Sequence, residues 1–97
     1  SPRAYVSKNS TIESGTIIMH DAIINANTKI GSNCIINSKA LIEHDVIIGN
    51  NCHISTAAVV NGSVIVGNDT FIGSGAITKN NIMIPEKSFV KANSTVK

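Results

Sequence analysis

Apolar residues recur in this chain at every sixth position. Stepping by six from Val6 gives Ile12, Ile18, Ile24 and so on to Val96; fifteen of the sixteen are Ile or Val, and Thr78 is the exception. Four residues after each stands a small residue, from Ser10 and Thr16 through Cys34 and Cys52 to Ser88 and Ser94, with only Ile82 departing. A helix has period 3.6 and an alternating strand period 2, so neither produces this register. A six-residue unit with one large and one small inward residue predicts a short strand followed by a turn. A second period supports that reading. Gly31, Gly49 and Gly67 are 18 apart, as are Asn33, Asn51 and Asp69. These residue types tolerate positive φ and mark one corner of a coil made of three hexads. The expectation is a triangular prism of five coils (6–23, 24–41, 42–59, 60–77 and 78–95) stacked about 4.8 Å apart. Each coil covers the next, so no separate compact core is needed. Only the last coil, with Thr78, Ile82 and Pro85, departs from the pattern.

Composition agrees with this picture. The chain has no Trp, one Tyr and two Phe, so it must bury Ile, Val, Ala and Thr in a regular way rather than lean on aromatic area. Its 97 residues suffice for one domain, 1–97. The net charge is +2 with no run of basic residues, which argues against nucleic acid as a partner. No apolar stretch has the length of a membrane span and no signal peptide is evident, so no membrane partner and a cytoplasmic location are expected. The chain begins at Ser1 rather than Met, so the expectation is either a piece of a longer protein or a chain whose start has been removed.

The candidate chemistry lies in ALIEHDVIIGNNCHIS, residues 40–55. His44 occupies a turn position that points outward, and the residue 18 further on is Gly62. A histidine beside a bare glycine pairs a proton acceptor with an approachable backbone N–H. Asp45 is placed to hydrogen-bond Nδ1 and fix the tautomer, the base-plus-orienter logic of acyl transfer. The alternative is an exposed turn histidine. His53 falls half a coil away, so the two histidines meet only across an interface between prisms; otherwise His53 is a solvated residue on a flat face. His20 and Asp21 repeat the His44–Asp45 pair on a different corner, with Ser38 above in place of glycine. Cys34 and Cys52, 18 apart at the small inward position, should stack as two buried thiols without a disulfide. The three histidines fall on different corners and faces of the prism, so no metal is expected.

Residues 35–76, IINSKALIEHDVIIGNNCHISTAAVVNGSVIVGNDTFIGSGA, resemble one branch of the hexapeptide-repeat acyltransferases. It is the sialic acid O-acetyltransferase and nucleotide-amino-sugar N-acetyltransferase (NeuD/PglD type) family. The marks are IN before the site, IEHD, HIS nine residues later, and NG followed by VxxGNxxFIGxGA. The resemblance implies an all-β, left-handed parallel β-helix. The left hand comes from the resemblance, since it breaks the usual crossover rule. It also implies a homotrimer with active sites between subunits, acetyl-CoA as acyl donor in the groove, and a sugar or nucleotide-sugar acceptor. His44 corresponds to the general base and Asp45 to its partner, although many members carry Glu there. His53 corresponds to a histidine at the acetyl-CoA end of the site, from the adjacent subunit. Gly62 corresponds to the glycine whose N–H meets the thioester carbonyl, and Gly73, Ser74, Gly75 and Ala76 to the pantetheine groove. Family members usually carry about a hundred further N-terminal residues, forming a Rossmann-like sugar-nucleotide domain that this sequence does not contain. The ending FVKANSTVK also lacks the family's frequent G-x-P-A-K, leaving Lys79, Lys91 and Lys97 as candidates for the CoA phosphate. Without catalysis, the same lattice would serve as a trimeric scaffold.

Overall fold

Each hexad folds as two extended residues and a four-residue corner, and the computed structural model, which describes residues 3–97, is a left-handed parallel β-helix built from that unit. The first sheet holds β1 (Tyr5–Val6), β4 (Ile23–Ile24), β7 (Leu41–Ile42), β10 (Val59–Val60), β13 (Ile77–Thr78) and β16 (Thr95–Val96). The second holds β2 (Thr11–Ile12), β5 (Lys29–Ile30), β8 (Ile47–Ile48), β11 (Ile65–Val66) and β14 (Met83–Ile84). The third holds β3 (Ile17–Ile18), β6 (Ile35–Ile36), β9 (His53–Ile54), β12 (Phe71–Ile72) and β15 (Phe89–Val90). All pairings are parallel with an offset of one coil, as in Leu41 with Val59 and Ile47 with Ile65. The prism measures 30 × 21 × 19 Å.

Two residues make each corner. The second has φ near 60°, at every sixth position from Asp21 through Asp45 and Asp69, with Gly15 and Gly75 completing the series. Asn, Asp and Gly fill most of these places, but Lys39, Ala57, Ser63 and Lys87 adopt the same conformation, each at a cost of roughly 1 kcal/mol. Gly31, Gly49 and Gly67, expected to mark a corner through positive φ, do so for a different reason. None has positive φ; a Cβ on Gly31 would lie 2.8 Å from the Gly49 carbonyl, and one on Gly67 would overlap the Glu86 backbone. They are glycines because the next coil passes too close for a side chain.

The large inward residues, Ile24 through Ile54 and on to Ile72, are wholly buried, and burying each such side chain contributes about 1.5–3 kcal/mol. The small inward position has a polar use as well. Thr28 Oγ1 donates to the Glu43 carbonyl fifteen residues on at 2.8 Å. Cys34 Sγ reaches the Gly49 carbonyl and Cys52 Sγ the Gly67 carbonyl in the same way, each at 3.1 Å. The cysteines therefore occupy a threonine-like slot. Both are buried free thiols, and the hydrogen-bonding contact with Cys34, together with burial, pushes the Cys52 thiol upward. At the N-terminal end the first coil covers less: Ile12 and Ile18 are only partly buried and Val6 is exposed.

This gradient yields a stability test. Ile54→Ala, in the closed middle of the stack, should destabilise by about 2–5 kcal/mol, and Ile18→Ala, in the open first coil, by clearly less. Guanidinium unfolding at one protein concentration reads both, and equal losses would contradict the gradient.

Candidate active site

His44 and Asp45 form the corner between β7 and β8. Its neighbours hold this corner from both sides: the Asp45 N–H donates to the Ala26 carbonyl at 3.0 Å, and the Ser63 N–H donates to the His44 carbonyl at 3.0 Å. Asp45 has φ 58°. Its Oδ2 lies 2.9 Å from His44 Nδ1, and the two side chains are 53% and 59% exposed. A pair this open contributes little to stability. Its effect is orientation, because a carboxylate on Nδ1–H leaves Nε2 as the free, proton-accepting nitrogen of a neutral imidazole.

Nε2 faces Gly62 on the next coil. A Cβ on Gly62 would lie 2.8 Å from Nε2 and 2.9 Å from Cε1, and the φ of Gly62 is not positive. The missing side chain is therefore explained by the imidazole beside it, on the coil below, rather than by the backbone. Gly62 is buried and its carbonyl accepts the Asn81 N–H at 3.0 Å. Among the described residues no acceptor takes its own N–H. Glu43 turns away from His44, its Oε1 accepting from Asn25 Nδ2 at 2.9 Å on the coil below. The corner thus presents a tautomer-fixed imidazole beside an uncommitted amide. Chemically that can remove a proton and hold a developing oxyanion.

The remaining candidates lie elsewhere on the prism. His53 is in β9, on the third sheet, the face opposite the corner that carries His44. Its Nε2 lies 3.3 Å from Asn37 Nδ2, and Phe71 meets its ring edge-on with centroids 5.3 Å apart. Phe71 in turn stacks on Phe89 at 5.1 Å. Asn37 and Phe71 were not singled out as site residues from the sequence. The lattice carried the signal for Phe71, which stands 18 after His53, whereas Asn37 had only the IN dipeptide as a sign. Gly73, Ser74, Gly75 and Ala76 run through the corner between the third and first sheets, where His20 and Asp21 also lie. There the N–H groups of Gly73, Gly75 and Ala76 donate to Val90, Thr56 and Gly73, and Ala76 is wholly buried in the core. Among the described residues no three His, Cys, Asp or Glu side chains gather as a metal site, and no helix is long and apolar enough to cross a membrane.

The fold is a hexapeptide-repeat β-helix, and residues 3–38 and 27–62 match the bacterial transferase hexapeptide (six repeats) family. The chain belongs to that family. Among solved structures it is similar to the acetyltransferase domain of PglB from Neisseria gonorrhoeae, solved with acetyl coenzyme A. That likeness has a TM-score of 0.94 at 25% identity and covers 98% of this chain and 48% of that one. It is also similar to PerB from Caulobacter crescentus, solved with CoA and GDP-perosamine, with a TM-score of 0.80 at 27% identity, covering 97% and 48% of the two chains. Both are the kind of acetyltransferase that residues 35–76 resemble. The UDP-N-acetylglucosamine O-acyltransferase of Moraxella catarrhalis shares the fold alone, with a TM-score of 0.57 at 15% identity, covering 99% of this chain and 66% of that one. The chain thus spans about half the length of the PglB acetyltransferase-domain chain and of PerB. No curated protein matches it by sequence.

The contact between Gly62 and the imidazole is open to a direct test. Gly62→Ala should leave the unfolding midpoint nearly unchanged, because the exposed ring can swing aside. The His44 ring resonances in NMR spectra should then move, and the bond between Nδ1 and Asp45 should weaken. Unshifted ring resonances would show that the ring does not rest on Gly62.

Proposed function

We propose that the chain transfers an acetyl group from acetyl-CoA to an amine or hydroxyl of a sugar or nucleotide sugar. The observation that carries this reading is the corner itself, with His44 Nε2 directed over Gly62 and Nδ1 tied to Asp45. Similarity to PglB and PerB, solved with acetyl-CoA and with CoA and GDP-perosamine, supports the choice of donor and acceptor class.

In this mechanism Nε2 of His44 removes the acceptor proton as the amine or hydroxyl attacks the thioester carbonyl. The negative charge that develops on the carbonyl oxygen is met by the Gly62 N–H. Asp45 stabilises the imidazolium through Nδ1–H. The C–S bond then breaks, and His44 returns the proton to the departing thiolate. Neither a metal nor a covalent enzyme intermediate takes part.

His53 enters through a neighbouring subunit. It lies on the face opposite His44 of its own chain, so one site can use both only where two prisms pack side by side. Exposed apolar residues such as Ile47, Ile65 and Phe89 give the sheets surface suited to such packing. We therefore propose a homotrimer with three sites between subunits, in which Gly73 to Ala76 of one prism line the donor groove beside a partner's histidine. Residues 1–97 act as the acetyl-transfer domain. Sedimentation should give three chains per particle, and a stable monomer would leave His53 without a role.

The catalytic test is release of the CoA thiol with GDP-perosamine and related nucleotide-linked amino sugars as acceptors. DTNB is a suitable reagent because Cys34 and Cys52 are buried. His44→Ala should lower turnover by about 100-fold or more, the range for a general base. Turnover near wild type in that variant would sink the assignment.

A further inference from the structure

Among the described residues, the run of hydrogen bonds at strand ends is broken at one place, and that place is next to Gly62. Throughout the stack, the first residue after a strand donates its N–H to the carbonyl seventeen residues on. Glu43 donates to Val60 at 2.9 Å, Ser55 to Ile72 at 2.9 Å, and Lys79 to Val96 at 2.8 Å. Asn61 is the exception among the described residues. Its N–H goes instead to the side-chain Oγ1 of Thr78 at 3.0 Å. The Thr78 carbonyl, freed from its usual donor, accepts Asn61 Nδ2 at 2.7 Å. The pairing of β10 with β13 records the same break: Val59 registers with Ile77, and the Val60–Thr78 pair that would follow is missing.

Thr78 is also the single residue in the large inward column that is neither Ile nor Val, and it is wholly buried. A buried hydroxyl in an apolar column is costly unless it makes a hydrogen bond. Here it is bonded to the amide that immediately precedes Gly62. The two Asn61 bonds fix the Val60–Asn61 peptide plane and the Asn61 side chain together. The next peptide, which carries the Gly62 N–H, is joined to that plane through the Asn61 Cα, so the same two bonds restrict its direction.

We infer that Thr78 and Asn61 are positioning residues that aim the Gly62 N–H beside His44 by displacing a lattice hydrogen bond. The inference rests on the acetyl-transfer reading above, in which that N–H meets the oxyanion. Thr78→Val would return the column to its regular pattern and let the Asn61 N–H bond to the carbonyl of residue 78. The coil would then be as stable or more so, and the amide would turn away from the site. Thr78→Ser keeps the hydroxyl.

The test compares the full wild-type chain with Thr78→Val and Thr78→Ser. Thr78→Val should keep or raise the unfolding midpoint, lower kcat about tenfold or more, and leave the KM for acetyl-CoA within about threefold, since a misdirected oxyanion donor acts on the transition state. Thr78→Ser should recover most of kcat. In 1H–15N spectra, acetyl-CoA should shift the Gly62 amide in the wild type and in Thr78→Ser, and not in Thr78→Val. Asn61→Ala, which removes only the bond to the Thr78 carbonyl, decides the matter if Thr78→Val fails to fold, and should show the same loss of kcat and of the amide shift. Wild-type kcat and an unaltered Gly62 shift in Thr78→Val or Asn61→Ala, with His44→Ala inactive, would overturn this inference and leave the acetyl-transfer reading standing. No Gly62 shift and no transfer in the wild type would overturn both.

Discussion

The constraint on which the structure depends is that every coil must satisfy its backbone through the coils above and below it. With two-residue strands, no coil can pair with itself. The N–H groups at strand ends therefore look to carbonyls seventeen residues away, and the corners close with their own bonds, as Ser63 does on His44 and Asn81 on Gly62. That requirement sets the spacing of 18, the column of Ile and Val, and the small residues opposite them. It also dictates which side chains stack. His44 lies against Gly62 because the corners are in register, and the glycine leaves room for the ring.

Most of the prism is therefore a regular lattice, and the candidate site lies where that lattice is modified. The corner between the first and second sheets carries Asn25, Glu43, Asn61 and the His44–Asp45 pair on successive coils, whereas the next corner carries Gly31, Gly49 and Gly67 in the equivalent places. The glycine corner is packed tightly against its neighbours. The polar corner exchanges hydrogen bonds through side chains, as Asn25 does with Glu43 and Asn61 with Thr78. A rigid lattice of this kind holds such groups at fixed separations with little further ordering needed when a ligand arrives.

Much of this was legible in the sequence because the period is an integer. A repeat of six residues with a superperiod of 18 assigns every residue to a coil, a face and a height, so the stacking of His44 with Gly62 and of Cys34 with Cys52 followed by addition. What addition could not supply was local geometry. The glycines at 31, 49 and 67 looked like residues of positive φ, but the Asn and Asp two places later hold that conformation. Thr78 appeared only as an irregularity in a fading repeat, because its hydrogen bond to Asn61 depends on a rotamer and a displaced amide rather than on spacing. Asn37 likewise reaches His53 diagonally, across sixteen residues, where a column-by-column reading does not look.

The same register makes the length of this molecule discrete. Eighteen residues added between Asp45 and Gly62 would leave the sequence columns intact, yet set a new coil between the imidazole and its glycine. Eighteen added below Ala26 or above Asn81 would lengthen the prism and leave the corner untouched. An insertion of six would carry every later residue round to the next face, and one of any smaller number would turn buried columns outward. Sequence change along this chain is therefore confined to substitutions, loops bulged from a corner, and whole coils gained or lost away from the two that meet at His44.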